Sequence, residues 1–197
     1  MAQLSRRKFF SDFVRSAVAN AVAPIEAIAR NRTASATEPR GVDRSVWLRP
    51  PGAISERRFK EVCTRCTDCV DICPYDAIRR LGPEFGADAG TPAIIPTESP
   101  CYLCPDMPCI AACEPKALVP VARSEVAMGR AIMVEALCYV AKGQPCDYCV
   151  SRCPLKGVAI SFGDGGMPVI EPAGCVGCGV CAYLCPADAI GIVRTQD

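Results

Sequence analysis

Apolar residues come along this chain in short runs rather than long periodic stretches. Ala93–Pro96 and Ala131–Val134 read as short strands. Val158–Phe162 and Met167–Glu171 flank Gly163-Asp164-Gly165-Gly166, a spacing that predicts a hairpin. Ser55–Val62 predicts a short helix with Ser55 as N-cap. Proline has a fixed φ and no amide hydrogen, so Pro74–Ile78 and Pro186–Ile190 are expected to open as short helices. Residues 37–54 are polar and rich in Pro and Arg, and read as a linker. Val14–Ala29 is mildly apolar, but Arg15, Pro24 and Glu26 interrupt it. A membrane-spanning helix needs about 18 or more apolar residues, and no such run occurs. Short strands, short helices and long loops together predict an α+β fold.

Composition changes this picture. The 197 residues include 16 Cys, no His, one Trp (Trp47) and only 6 % aromatics. So few rings make a large aromatic core improbable, and bound metal can supply folding energy in its place.

All sixteen cysteines fall into four quartets. They are Cys63, Cys66, Cys69 and Cys73; Cys101, Cys104, Cys109 and Cys113; Cys138, Cys146, Cys149 and Cys153; and Cys175, Cys178, Cys181 and Cys185. The first and last are Cys-x2-Cys-x2-Cys-x3-Cys-Pro without deviation, the bacterial ferredoxin run for 4Fe–4S clusters. In that run three closely spaced thiolates wrap one cluster and the fourth reaches a neighbouring one. Both outer quartets also continue as Cys-Pro-x-Asp-Ala-Ile. The second quartet is stretched between Cys104 and Cys109, and the third between Cys138 and Cys146. That long interval makes Cys138 the least secure ligand.

A disulfide scaffold does not require this spacing. Structural zinc prefers paired Cys-x2-Cys units, often with His. The sequence therefore predicts four 4Fe–4S clusters with the sixteen Cys as iron ligands, in two bacterial-ferredoxin-like units arranged in tandem or nested. The likeness of the outer quartets and the shared stretching of the inner ones favour nesting. Nesting joins Cys63, Cys66 and Cys69 with Cys185, and Cys175, Cys178 and Cys181 with Cys73. It joins Cys101, Cys104 and Cys109 with Cys153, and Cys138, Cys146 and Cys149 with Cys113. Gly177 and Gly179 read as ordinary loop glycines, and Tyr102, Tyr148 and Tyr183 as apolar cover over clusters.

Charge separates the N-terminus from the rest. Residues 1–36 carry six basic side chains against Asp12 and Glu26; the whole chain is +1, which leaves the remainder at −3. Clusters on thiolates add negative charge, which suits docking to basic patches on redox partners. The balance gives no sign of nucleic-acid binding. Ser5-Arg6-Arg7-Lys8-Phe9-Phe10 resembles a twin-arginine export signal, and Ala34-Ser35-Ala36 supplies a cleavage site before Thr37. Residues 1–36 are therefore expected to be a signal segment and 55–197 the four-quartet domain. The alternative is a cytoplasmic amphipathic helix.

The twin-arginine start, Leu48-Arg49-Pro50-Pro51-Gly52-Ala53 and the stretched second and third quartets resemble the NapG/MauM ferredoxin-type proteins. That resemblance implies a periplasmic four-cluster electron carrier. Its partners would be a membrane quinol dehydrogenase of NapH type and a cytochrome or periplasmic reductase, with peripheral membrane association compatible with that role. No P-loop, dinucleotide glycine motif or His-based acid/base pair is present, so no catalytic residue is expected. Two other readings are an electron-transfer subunit of a molybdenum oxidoreductase complex and a maturation factor for a periplasmic redox enzyme.

Overall fold

A computed structural model describes residues 42–195. The signal segment and cleavage site expected before Thr37 lie outside the described residues.

The elements are short. Helix α1 spans Glu56–Val62, and four single-turn helices follow: α2 Asp68–Asp71, α3 Pro108–Ala111, α4 Tyr148–Ser151 and α5 Val180–Tyr183. Among the described residues six strands make three antiparallel pairs. β1 (Arg79–Arg80) pairs with β2 (Pro92–Ala93), β4 (Ile160–Phe162) with β5 (Pro168–Ile170), and β3 (Gly129–Met133) with β6 (Ile190–Arg194). The hairpin expected around Gly163–Gly166 is present, with a 3₁₀ turn over Asp164–Gly166. Helix α1 begins after Ser55 as expected, although the Ser55 side chain makes no capping hydrogen bond.

The Cys-Pro helices expected at Pro74–Ile78 and Pro186–Ile190 are instead tight turns. Asp76 and Asp188 each take φ of +49°, which stops a right-handed helix. The next amides, Ala77 and Ala189, donate to the Sγ of Cys73 and Cys185 at 3.3 Å. Sulfur, not a backbone carbonyl, takes these amide hydrogens. The helices form one step earlier, and α2 to α5 each carry the third cysteine of a quartet: Cys69, Cys109, Cys149 and Cys181.

The chain forms two halves of like design. In the first, α2 packs on α3; in the second, α4 packs on α5. The two halves are in tandem, joined through one core that holds Leu48, Phe59, Ile94, Leu103, Leu118, Val150, Val180 and Ile190, all almost fully buried.

The expected linker 37–54 is part of this core from about Trp47 onward. Leu48 bridges to Ile94 through a pair of backbone hydrogen bonds of 2.8 Å, and Pro50 and Pro51 are fully buried. A polar composition misled because its key charge is buried and paired. Arg49, 6 % exposed, donates from Nε and Nη2 to the Glu56 carboxylate at 2.9 and 2.6 Å. It also donates to Asp88 at 2.8 Å, Thr91 Oγ1 at 2.6 Å and the Pro92 carbonyl at 3.2 Å. Its guanidinium lies 4.6 Å from the Phe59 ring centre and 4.7 Å from that of Trp47. Arg194, at the end of β6, stacks on Trp47 at 4.2 Å and meets Glu56 at 3.3 Å. The N-terminal strap, α1 and the β1–β2 loop thus meet at the Arg49 guanidinium, and the last strand joins them through Arg194 on Trp47 and Glu56. Gly52 (φ +74°) follows because a Cβ there would fall 2.3 Å from the Val119 carbonyl oxygen.

Removing one partner of such a group strands buried charge, so Arg49→Ala should cost about 3–5 kcal/mol. Arg49→Lys should recover only part of this, since ammonium cannot make the forked contact. Thermal unfolding of the iron-loaded variants checks both. The Arg49 hydrogen bond holds the Glu56 carboxyl below its usual range. That contribution is present above pH 4.5 and is lost as the pH falls through the lowered value.

Candidate metal centre

Each quartet is a chain segment, but each cavity is built from two quartets. One cavity is lined by Cys63, Cys66, Cys69 and Cys113, with Phe59, Pro92 and Leu118 around them. A second is lined by Cys101, Cys104, Cys109 and Cys73, with Pro51, Tyr75 and Tyr102. A third is lined by Cys138, Cys146, Cys149 and Cys185, with Met133, Tyr139, Tyr148 and Pro168. The fourth is lined by Cys175, Cys178, Cys181 and Cys153, with Ala131, Ile160 and Ile192. All sixteen cysteines line one of these four cavities, Cys138 included, which is buried.

The pairing corrects the nested expectation. The first quartet exchanges its fourth cysteine with the second, and the third with the fourth. The physical reason is the packing of α2 on α3 and of α4 on α5. Each of these helices runs directly from a third cysteine towards the fourth, so the fourth reaches the cavity of the helix it packs against. Likeness between the outer quartets reflects a shared local turn, not a shared partner.

The four sites use the same backbone devices. After each fourth cysteine the chain turns back on an i→i+3 bond, from Asp76, Lys116, Lys156 and Asp188 to the carbonyls of Cys73, Cys113, Cys153 and Cys185. Amides are thereby aimed at sulfur: Ala77 to Cys73, Leu118 to Cys113 and Ala189 to Cys185, each at 3.3 Å. Strand β3 adds Ala131, whose amide donates to Cys175 Sγ at 3.3 Å. Such donors stabilise negative charge on sulfur and raise a cluster's potential. Sequence reading did not single out these amides; the repeated Cys-Pro-x-Asp-Ala was their trace, since Asp supplies the positive φ and Ala the amide.

Before the second cysteine the chain takes a left-handed step at Arg65 (φ +59°), Leu103 (φ +51°) and Gly177 (φ +74°). The third quartet has Pro145 there and spends its long interval on a turn over Tyr139–Gln144. In the second, Met107 (φ +40°) absorbs the extra length and Pro108 starts α3. Gly177 and Gly179 are more than ordinary loop glycines. A Cβ on Gly177 would lie 2.4–2.5 Å from the Gly129 backbone, and one on Gly179 2.4 Å from Pro96. Tyr102 and Tyr148 do line cavities, while Tyr183 borders none of the four. Tyr102 stacks on Tyr75 at 4.5 Å between ring centres.

The sixteen thiols are free of disulfides. Tetrahedral zinc with bonds of about 2.3 Å would draw its sulfurs to within about 3.8 Å of one another. Among the described residues no three Cys, His, Asp or Glu side chains converge tightly enough to hold one metal ion. Four thiols around an apolar cavity, rather than at a point, suit a compact polynuclear cluster. Burial raises the Cys69, Cys101 and Cys178 thiols from 9.0 to about 12 and those of Cys109 and Cys149 to about 11, with neighbouring thiolates adding to the shift at Cys69 and Cys149. Cys181 is also pushed well above 9.0, and Cys104 and Cys153 rise as well, burial leading in each. Burial thus disfavours bare thiolates here, and a cationic centre among them would offset that cost.

The 4Fe-4S binding domain family matches residues 58–79 and 168–191, the stretches that hold the two undeviating quartets. The methylamine utilization ferredoxin-type protein MauM of Paracoccus denitrificans is 36 % identical, over 93 % of this chain and 84 % of its own. The ferredoxin-type protein NapG of Escherichia coli is 34 % identical, over 93 % of this chain and 82 % of its own. The MauM of Methylobacillus flagellatus is also 34 % identical, over 91 % of this chain and 79 % of its own. The chain belongs to the NapG/MauM family of ferredoxin-type proteins. It is a ferredoxin-type protein that binds 4Fe–4S clusters, and its site residues fit that cofactor.

Two results follow. With the sequential exchange, Cys73→Ala should remove the cluster of the Cys101 site and leave the Cys175 site loaded, and Cys185→Ala should empty only the Cys138 site. Mössbauer or EPR spectra with an iron count check this. In the cluster-free chain the raised thiols favour the folded state below pH 9.0, and that contribution disappears as the pH climbs towards about 12. Cluster binding needs thiolates and so has the opposite sign: cluster loss, followed by its visible absorbance, should speed up as the pH falls.

Proposed function

We propose that the protein is a periplasmic electron carrier with four 4Fe–4S clusters, one at each four-cysteine cavity, and that it shuttles single electrons between redox proteins. The observation that carries this reading is the convergence of all sixteen cysteines on four cavities of the same ligand number. When bound, each cluster supplies reversible one-electron storage. The chain's own residues hold it, shield it with apolar walls and aim amides at its sulfur ligands.

The donor in this reading is a membrane quinol-oxidising partner and the acceptor a periplasmic cytochrome or reductase. Among the described residues no helix is long and apolar enough to cross a membrane. Export in the folded, cluster-loaded state through the twin-arginine route is proposed from Ser5–Phe10. The reading leaves the pathway open between the kinds its relatives' names suggest, methylamine utilization among them.

Anaerobic purification with iron and acid-labile sulfide analysis, followed by an EPR redox titration, tests the proposal. About sixteen of each per chain with reversible reduced-cluster signals is the expected result. Zinc in place of iron, or clusters that cannot be cycled, would rule it out. Replacing Arg6 and Arg7 by Lys should abolish periplasmic accumulation, read by cell fractionation.

A further inference from the structure

The proposed electron carrier has four sites but two halves, so the halves must communicate somewhere. Within the first half, α2 and α3 bring the Cys63 and Cys101 sites side by side through Cys69 and Cys109. Within the second, α4 and α5 do the same for the Cys138 and Cys175 sites through Cys149 and Cys181. Between the halves, the Cys101 amide donates to the Cys178 carbonyl at 2.9 Å. This joins a ligand of the Cys101 site to a ligand of the Cys175 site by one backbone hydrogen bond. Gly179 presses on Pro96 beside it, and a Cβ at 179 would come within 2.4 Å. Each of the four cavities is lined by residues of one half alone, so it is the Cys101–Cys178 hydrogen bond that places the Cys101 and Cys175 sites, and not the Cys63 and Cys138 sites, at the junction.

We propose that the four sites form one unbranched row in the order Cys63 site, Cys101 site, Cys175 site, Cys138 site, crossing between halves at the Cys101–Cys178 hydrogen bond. The row is not in chain order: the last quartet supplies an inner site and the third an outer one. An electron crosses with no bond made or broken, one cluster being oxidised as its neighbour is reduced. One-electron donor and acceptor proteins therefore meet the row at its ends. One end lies by Cys63 and Cys66, beside exposed Arg65; the other lies by Cys146, under half-exposed Tyr148.

This order rests on the four-cluster reading, and the test separates the two. The probe is spin–spin coupling between reduced clusters, measured by pulsed EPR on iron-counted protein. Iron well below about sixteen per chain in the unaltered protein overturns the four-cluster reading and the row with it. With full iron, Cys181→Ala should empty the Cys175 site alone. It should isolate the Cys138-site cluster from the other half and leave the Cys63–Cys101 pair coupled. Cys66→Ala should leave the other three coupled in series. A Cys138-site cluster that stays coupled to the first half after Cys181→Ala would overturn the order. The unaltered protein at full iron gives a check that needs no substitution: a Cys63-site cluster coupled more strongly to the Cys138-site cluster than to the Cys101-site cluster would also overturn the order.

Discussion

The rest of this structure depends on the exchange of the fourth cysteine between paired quartets. A quartet alone cannot close a site, because its last thiol points away from the cavity its first three build. Two quartets together close two sites, and the one-turn helices that carry the third cysteines are pressed together by the same act. The three small sheets are too short to specify a fold on their own. Metal–thiolate bonds take the place of the extensive apolar burial that a chain with so few aromatic residues lacks.

The second organising contact is Arg49. A guanidinium surrounded by Glu56, Asp88, Thr91, Trp47 and Phe59 is costly to bury and is tolerated because almost every donor has a fixed acceptor. It explains why the Leu48–Ala53 segment, which touches one cavity through Pro51, looks so particular in sequence. That segment is the strap that sets where the first half begins. Through Arg194 the same cluster of charges also takes hold of the last strand.

That the cysteines gather in groups of four was legible in the sequence, because their spacing is a local property. Pairing was not, because it depends on which helices pack, and the outer quartets' likeness pointed the wrong way. The hairpin at Gly163–Gly166 was visible from its glycines and alternating flanks. The Cys-Pro turns were not, since Pro at a helix start is a good rule that fails when the next amides have a better acceptor in sulfur. Gly177 and Gly179 looked dispensable because the surfaces they press on, Gly129 and Pro96, are dozens of residues away. Leu48–Pro51 looked like linker because composition cannot show that a charge will find its partners.

The exchanged cysteines also impose a timetable on synthesis. The Cys101 site has its last thiol once Cys109 is made, whereas the Cys63 site, begun first, must wait for Cys113. In the second half the Cys175 site is complete at Cys181 and the Cys138 site only at Cys185. As the chain leaves the ribosome, then, each half gains its full ligand sets from the middle of the molecule outward. A chain cut short between Cys181 and Cys185 would lack the last ligand of the Cys138 site while keeping the full ligand sets of the other three.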